Sequence, residues 1–170
     1  GIFSMWIQTE AAGSARPGQF ISMYTNDGSK LLPRPISICE IDKEGGKLRV
    51  VYRVTGEKTG TEEFSQMKAG DTIPVIGPLG NGFPFEKAEG KKVFLMGGGI
   101  GVPPILELAK QMECEKKQIV VGYRDAHTFL KEEFEQAGEL YISTEDGSVG
   151  TKGNVMDAIR ENALEADMIY

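Results

Sequence analysis

The rhythm of the chain changes near Lys91, and that change limits the fold more than any other feature. Up to that point short β-rich runs, at residues 2–9, 19–25, 36–41, 47–54 and 72–76, are separated by glycine, proline and aspartate turns. Such close spacing is the mark of an antiparallel barrel or sandwich. A single short helix, around residues 62–68, interrupts it. Beyond Lys91 strands alternate with helices, at residues 93–96, 104–112, 118–123, 129–137, 140–143, 154–163 and 168–170. That alternation predicts a parallel sheet with crossover helices. No internal repeat or low-complexity linker is present, and the turn-rich stretch 77–90 marks the boundary. The expectation is an antiparallel β-barrel over residues 1–88 followed by a parallel-sheet α/β domain over residues 89–170, the second incomplete at its carboxyl end.

Composition narrows the chemistry. With 40% hydrophobic and 26% charged residues the chain is expected to be globular, and its 22 glycines point to many tight turns or close backbone approaches. A formal net charge of −6 argues against nucleic-acid binding, which needs a basic face to displace counterions from phosphate. No apolar run approaches the ~20 residues that span a bilayer, and the amino terminus lacks a basic-then-apolar secretory pattern. Cys39 and Cys114 stand far apart, so a disulfide framework is not expected and a cytoplasmic setting is. Gly1 and Tyr170 both fall inside strand patterns, from which both ends are expected to be cut.

Three short segments bear on ligands. The run Met96-Gly97-Gly98-Gly99-Ile100-Gly101-Val102-Pro103-Pro104 lies between an apolar strand and an amphipathic helix. Glycines there admit a ligand close to the backbone, and a helix start offers unpaired N–H groups and a positive dipole end to a pyrophosphate. The strict dinucleotide fingerprint fails because Val102 stands where its last glycine would be. A tight packing turn is the competing reading, but the position after the first parallel strand favours a ligand site. The second segment, Leu32-Pro33-Arg34-Pro35-Ile36-Ser37, holds an arginine between prolines, and a guanidinium so restricted can offer a fork of donors to phosphate. By itself it reads first as an edge strand with a surface arginine. The third, Val51-Tyr52-Arg53 followed by Gly60-Thr61-Glu62, has Thr59 and Glu62 at capping-box spacing, which predicts a helix start and a second place for phosphate.

Taken in order, these segments with Gly77-Pro78-Leu79-Gly80 resemble the ferredoxin-reductase superfamily, and more narrowly its electron-transfer subunits of NAD-dependent (class 1B) dihydroorotate dehydrogenase. The resemblance implies a flavin-binding barrel and a nucleotide-binding α/β domain. It implies FAD contacts from Arg34, Pro35, Ile36 and Ser37, with Arg34 on the pyrophosphate and Ser37 near the reactive edge of the flavin. Val51, Tyr52 and Arg53 would line the flavin, and Gly60 and Thr61 would hold its phosphates, although the stretch from Arg53 to Gly60 is longer than the family pattern. Gly98, Gly99 and Gly101 would face NAD(H), with Tyr123, Arg124 and Asp125 near its adenosine half and Asp146 and Gly147 on the same rim.

Hydride transfer between two cofactors needs no catalytic side chain, in keeping with a chain whose sole histidine, His127, reads as a surface or capping residue. The resemblance further implies an FMN-bearing dihydroorotate dehydrogenase partner in a heterotetramer, a role in pyrimidine biosynthesis with NAD⁺ as final acceptor, and a [2Fe–2S] centre on four thiolates. Two cysteines cannot supply those thiolates, so no metal ligands are expected in this chain. The alternatives are a sibling on the same scaffold, such as a subunit of a ferredoxin–NADP reductase or sulfide dehydrogenase, and a non-catalytic nucleotide-binding regulatory module.

Overall fold

The structure, a computed structural model, describes residues 1–170, which divide into two compact units, Gly1–Gly82 and Phe83–Tyr170. The first unit is a five-stranded antiparallel sheet of order β1-β4-β3-β2-β5, built from β1 (Ile2–Gln8), β2 (Phe20–Met23), β3 (Arg34–Asp42), β4 (Lys47–Arg53) and β5 (Val75–Leu79). Alternation along β4 sends Leu48, Val50 and Tyr52 into one core with Ile7, Ile21, Met23, Ile38 and Phe64. Phe64 belongs to α1 (Gly60–Gln66) and is the side chain that anchors this helix, its ring meeting that of Tyr52 edge to face at 6.1 Å. The strand edges β1 and β5 are not paired with each other.

Two expectations for this unit are corrected. The strand expected at 72–76 begins only at Val75, because Pro74 has no N–H to give to a ladder while the carbonyls of Thr72 and Pro74 are taken by Asn26 and Tyr24. A second helical element, a 3-10 turn at Glu10–Gly13, also interrupts the strands; Thr9 caps it by accepting from the Ala11 N–H at 3.3 Å.

The second unit is a parallel sheet of order β10-β6-β7-β8-β9, formed by β6 (Lys92–Gly98), β7 (Lys116–Tyr123), β8 (Glu139–Thr144), β9 (Thr151–Lys152) and β10 (Met168–Ile169). Its crossovers are α2 (Pro103–Gln111), α3 (Lys131–Ala137) and α4 (Val155–Glu161). Phe94, Met96, Val120 and Tyr141 pack with Val155, Ala158 and Ile159, so these strand positions face α4. A full capping box starts α4, with Asn154 accepting from the helix and Asp157 accepting from the Asn154 N–H at 2.8 Å. Helix α3 starts later than expected: Leu130 adopts a left-handed conformation (φ 64°), and the carbonyl of Phe129 is held outside the helix by the Tyr123 hydroxyl at 2.7 Å. The short β9 had no pattern to announce it.

Because Phe64 is the core contact through which α1 is seated, Phe64→Ala is expected to destabilise the first unit by about 3–5 kcal/mol. Urea denaturation followed by tryptophan fluorescence measures this, and an unchanged midpoint would show that α1 is held by other contacts.

Candidate functional site

Arg34 and Gly60 are far apart in sequence and meet in space. A Cβ placed on Gly60 would lie 2.6 Å from Arg34 Cζ and 2.9 Å from its Cδ, so the arginine side chain lies across the first residue of α1. The guanidinium also donates through Nη1 to the carbonyl of Leu32. Beside it three threonine hydroxyls cluster. Thr59 Oγ1 and Thr61 Oγ1 are 3.1 Å apart, Thr55 Oγ1 is 3.3 Å from Thr61 Oγ1, and the Thr55 N–H donates to Thr61 Oγ1 at 3.2 Å. Thr59 caps α1 by accepting from the Glu62 N–H at 3.3 Å, whereas Glu62 reaches back to the Lys58 N–H rather than to Thr59. Half of the expected capping box is therefore displaced by one residue. The threonine hydroxyl protons are taken up within the cluster and by the Gly56 carbonyl, to which Thr59 Oγ1 donates at 2.8 Å, so the guanidinium and a backbone without a Cβ are what this place offers a diphosphate. Thr59 is the expected cap, whereas Thr55 is not expected here, and the signal for it is the threonine–glycine pattern of residues 55–61.

The other first-unit candidates divide between two faces. Ile36 packs against the core, so strand alternation turns Pro35 and Ser37 of β3 to the opposite face, as it does Val51 and Arg53 of β4, where Val51 is nonetheless covered and only 5% exposed. Tyr52 does not join them. It is 2% exposed, stacks on Phe3, and burial pushes its hydroxyl up to about 12. A groove of about 690 Å³ runs along β1 and residues 64–73, and of the candidate residues only Tyr52 lines it.

In the second unit the glycine run separates into two roles. A Cβ on Gly97 would sit 3.0 Å from the Cα of Val102, so that glycine lets strand and helix pack. Gly98 and Gly101 have nothing within 4 Å of such a Cβ, and Gly99 turns the chain with φ 54°. Of the three glycines expected to face a ligand, Gly98 and Gly101 are therefore open and Gly99 forms the turn between them. The helix that follows offers less than expected. Pro103 and Pro104 have no N–H, Val102 N–H donates to Gly99 O at 3.2 Å, and Ile105 N–H donates to Val102 O at 3.1 Å. Only the dipole end of α2 remains for an anion, and backbone donors must come from the glycine run itself.

The loops after β7 and β8 bring the remaining candidates together. Glu145 N–H donates to Tyr123 O at 3.1 Å and Asp146 N–H to Arg124 O at 3.4 Å. Tyr123 itself is buried on the fold side, its hydroxyl raised above the usual phenol range by desolvation. Asp125 accepts from the backbone N–H of His127 at 2.9 Å and lies 2.7 Å from its Nδ1, contacts that hold its carboxyl below the usual carboxylate range. The ring of His127 is 95% exposed, a surface position as expected. Asp146 closes a turn through Ser148, whose hydroxyl and N–H reach it at 2.6 and 2.9 Å and lower its carboxyl. Thr144 pins the same turn by donating to Val149 O and accepting from Val149 N–H. No group of three or more His, Cys, Asp or Glu is arranged for a metal, and Cys39 and Cys114 lie in different units, so these residues do not fit a four-thiolate cluster.

An antiparallel sheet with an arginine-over-helix cradle, followed by a parallel sheet with a glycine run after its first strand, defines the ferredoxin–NADP reductase class of fold. The structure of a ferredoxin NADP⁺ reductase from Neisseria gonorrhoeae with bound FAD and NADP is similar over 95% of this chain and 70% of its own, with a TM-score of 0.77 at 17% identity. The structure of an NADH-dependent reduced ferredoxin–NADP oxidoreductase reaches a TM-score of 0.82 at 33% identity, covering 96% of this chain and 59% of that one. No protein-family model matches. Among curated proteins, the dihydroorotate dehydrogenase B (NAD⁺) electron transfer subunits of Bacillus caldolyticus and Streptococcus pneumoniae serotype 4 are 44% and 41% identical over 91% and 99% of this chain. The chain belongs to the family of dihydroorotate dehydrogenase B electron transfer subunits. It spans 62% and 68% of the length of those two relatives.

The turn that presents Asp146 and Gly147 depends on Gly150, which has φ 65° and would place a Cβ 2.1 Å from the carbonyl oxygen of Ile142. Gly150→Ala is expected to cost more than the roughly 1–2 kcal/mol of a left-handed conformation alone. Chemical denaturation of the two proteins compares them directly, and a smaller loss would mean that the turn rearranges freely.

Proposed function

We propose that this chain binds FAD in its first unit and NAD(H) in its second, and serves as the electron-transfer subunit of an NAD-dependent dihydroorotate dehydrogenase. The observation that carries the reading is the convergence of Arg34 with Gly60 at the start of α1. FAD, when bound, supplies a ring that exchanges hydride with a nicotinamide. The residues of this chain bind and orient. Arg34, Gly60 and Thr61 hold the flavin diphosphate, while Pro35 and Ser37 with Val51 and Arg53 form the strand surface for the ring, and Ile36, turned to the core, backs it. Tyr52 supports that surface from the core side. Gly98, Gly99 and Gly101 admit the dinucleotide diphosphate, and Arg124, Asp125, Asp146 and Gly147 border its adenosine half, with Tyr123 fixing their loop.

Electrons would come from dihydroorotate oxidised on the FMN of a partner subunit, in a cytoplasmic heterotetramer of the pyrimidine pathway. Any iron–sulfur relay is supplied by residues other than these. The 33% identity to the NADH-dependent reduced ferredoxin–NADP oxidoreductase keeps a sibling reductase as the second reading. A non-catalytic module would bind nucleotides without NADH bleaching the flavin.

Arg34→Ala is expected to weaken FAD binding on the order of tenfold to a hundredfold, since a charge-assisted contact is worth about 1.5–3 kcal/mol. Equal flavin occupancy in variant and parent after gel filtration would remove Arg34 from the diphosphate.

The ionised carboxylate of Asp125 can accept from a ribose hydroxyl and repels a phosphate there, so NADH is expected to be preferred over NADPH. Comparing kcat/KM for the two with an artificial acceptor tests it. A preference for NADPH would put Arg124 rather than Asp125 at the ribose.

A further inference from the structure

The loop between β2 and β3, residues 24–33, is gripped by one carboxylate. Glu63 of α1 accepts from the Asn26 N–H through Oε1 at 2.9 Å and from Lys30 Nζ through Oε2 at 3.0 Å. Lys30 also lies 3.3 Å from Asp27, whose other oxygen holds Ser29 through its hydroxyl and N–H. Asn26 Nδ2 donates to Thr72 O at 3.1 Å, tying the same loop to the segment that leads into β5. The Lys30 and Glu63 side chains are 20% and 26% exposed, and their contact is a principal reason that the Lys30 ammonium holds its proton more firmly than usual. Two residues after Lys30 comes Leu32, the carbonyl to which Arg34 donates, and Arg34 lies on Gly60, three residues before Glu63. The contacts close a ring: helix to Glu63, Glu63 to Lys30, the loop to Arg34, and Arg34 back to the helix.

We propose that Glu63 is a positioning residue that sets where the Arg34 guanidinium sits over α1, with Lys30 as the counter-charge that makes a carboxylate tolerable there. The inference rests on the assignment of Arg34 to the flavin diphosphate. Glu63 stands in the first turn of α1, on the same turn as Gly60 and Thr61. A carboxylate so placed repels a diphosphate unless it is neutralised, and Lys30 neutralises it while anchoring the loop. Removing Lys30 therefore does two things, loosening the loop and leaving a bare negative charge near the ligand. Removing the charge of Glu63 does only the first, since an amide oxygen still accepts from Asn26. A purely structural role would lower affinity and thermal midpoint together and predicts no ordering of affinities among the variants.

The test measures FAD dissociation constants by flavin fluorescence, at low and high salt, together with thermal midpoints, for Glu63→Gln, Lys30→Met, the double variant and Arg34→Ala. The expected result is a loss of about threefold to tenfold in FAD affinity for Glu63→Gln and a larger loss for Lys30→Met. The double variant should recover to the level of Glu63→Gln, midpoints should hold, and salt should reduce the excess loss in Lys30→Met. Full FAD affinity in both single variants, with Arg34→Ala weakened, overturns the inference alone. Affinity losses that track falling midpoints, with no recovery in the double variant, also overturn it, since that is what simple destabilisation gives. Undiminished binding by Arg34→Ala overturns the assignment of Arg34 itself and this inference with it.

Discussion

A guanidinium laid over a backbone that has no Cβ is the contact around which the first unit is arranged. It works only if α1 stops at the right height above the sheet, which Phe64 and Tyr52 decide from inside the core. It also needs Arg34 to leave the start of β3 toward the helix, which the turn through Leu32 and Pro33 directs. The threonines brace the helix start by satisfying one another and the Gly56 carbonyl. Core packing, loop path and helix cap therefore converge on one spot of positive charge, while the whole chain carries −6. Local charge of this kind, rather than net charge, selects a phosphate ligand.

The second unit meets the same demand by removing side chains rather than by adding charge. Gly97 and Gly98 are neighbours on β6 with opposite duties, because successive strand residues point to opposite faces. One lets α2 pack against the sheet and the other leaves the sheet open. The loops after β7 and β8 are joined through their own backbones, so the acidic rim of Asp125 and Asp146 is a built surface and not two independent loops. Neither arrangement uses a proton-transferring group, which agrees with chemistry that belongs to bound cofactors.

What could be read from the residues was periodic or local. The two halves, the strands β1 to β4, the helix start at Thr59 and the glycine run before α2 all follow from spacing and from glycine or proline at one position. The order of short motifs led to the family. What could not be read was which distant atoms meet. Period-2 alternation in β4 places Tyr52 opposite to Val51 and Arg53, but three consecutive residues taken as one motif hide that difference. The grip of Glu63 on residues 26 and 30 spans more than thirty positions and has no local signature. The two prolines of α2 suit a helix start, and their missing N–H groups are decisive only because the neighbouring donors are occupied.

Those prolines have a consequence for time rather than for affinity alone. A ligand held by a helix dipole and a few glycine N–H groups has a shallow well, sensitive to ionic strength and quick to empty. A ligand under a guanidinium and beneath a tethered loop has stronger contacts to break before it can depart. In the proposed reading the first is the nucleotide that must be exchanged at every turnover, and the second is the one that must stay. The chain would then sort its two nucleotides by residence time, with the difference written in how many backbone donors each helix start retains.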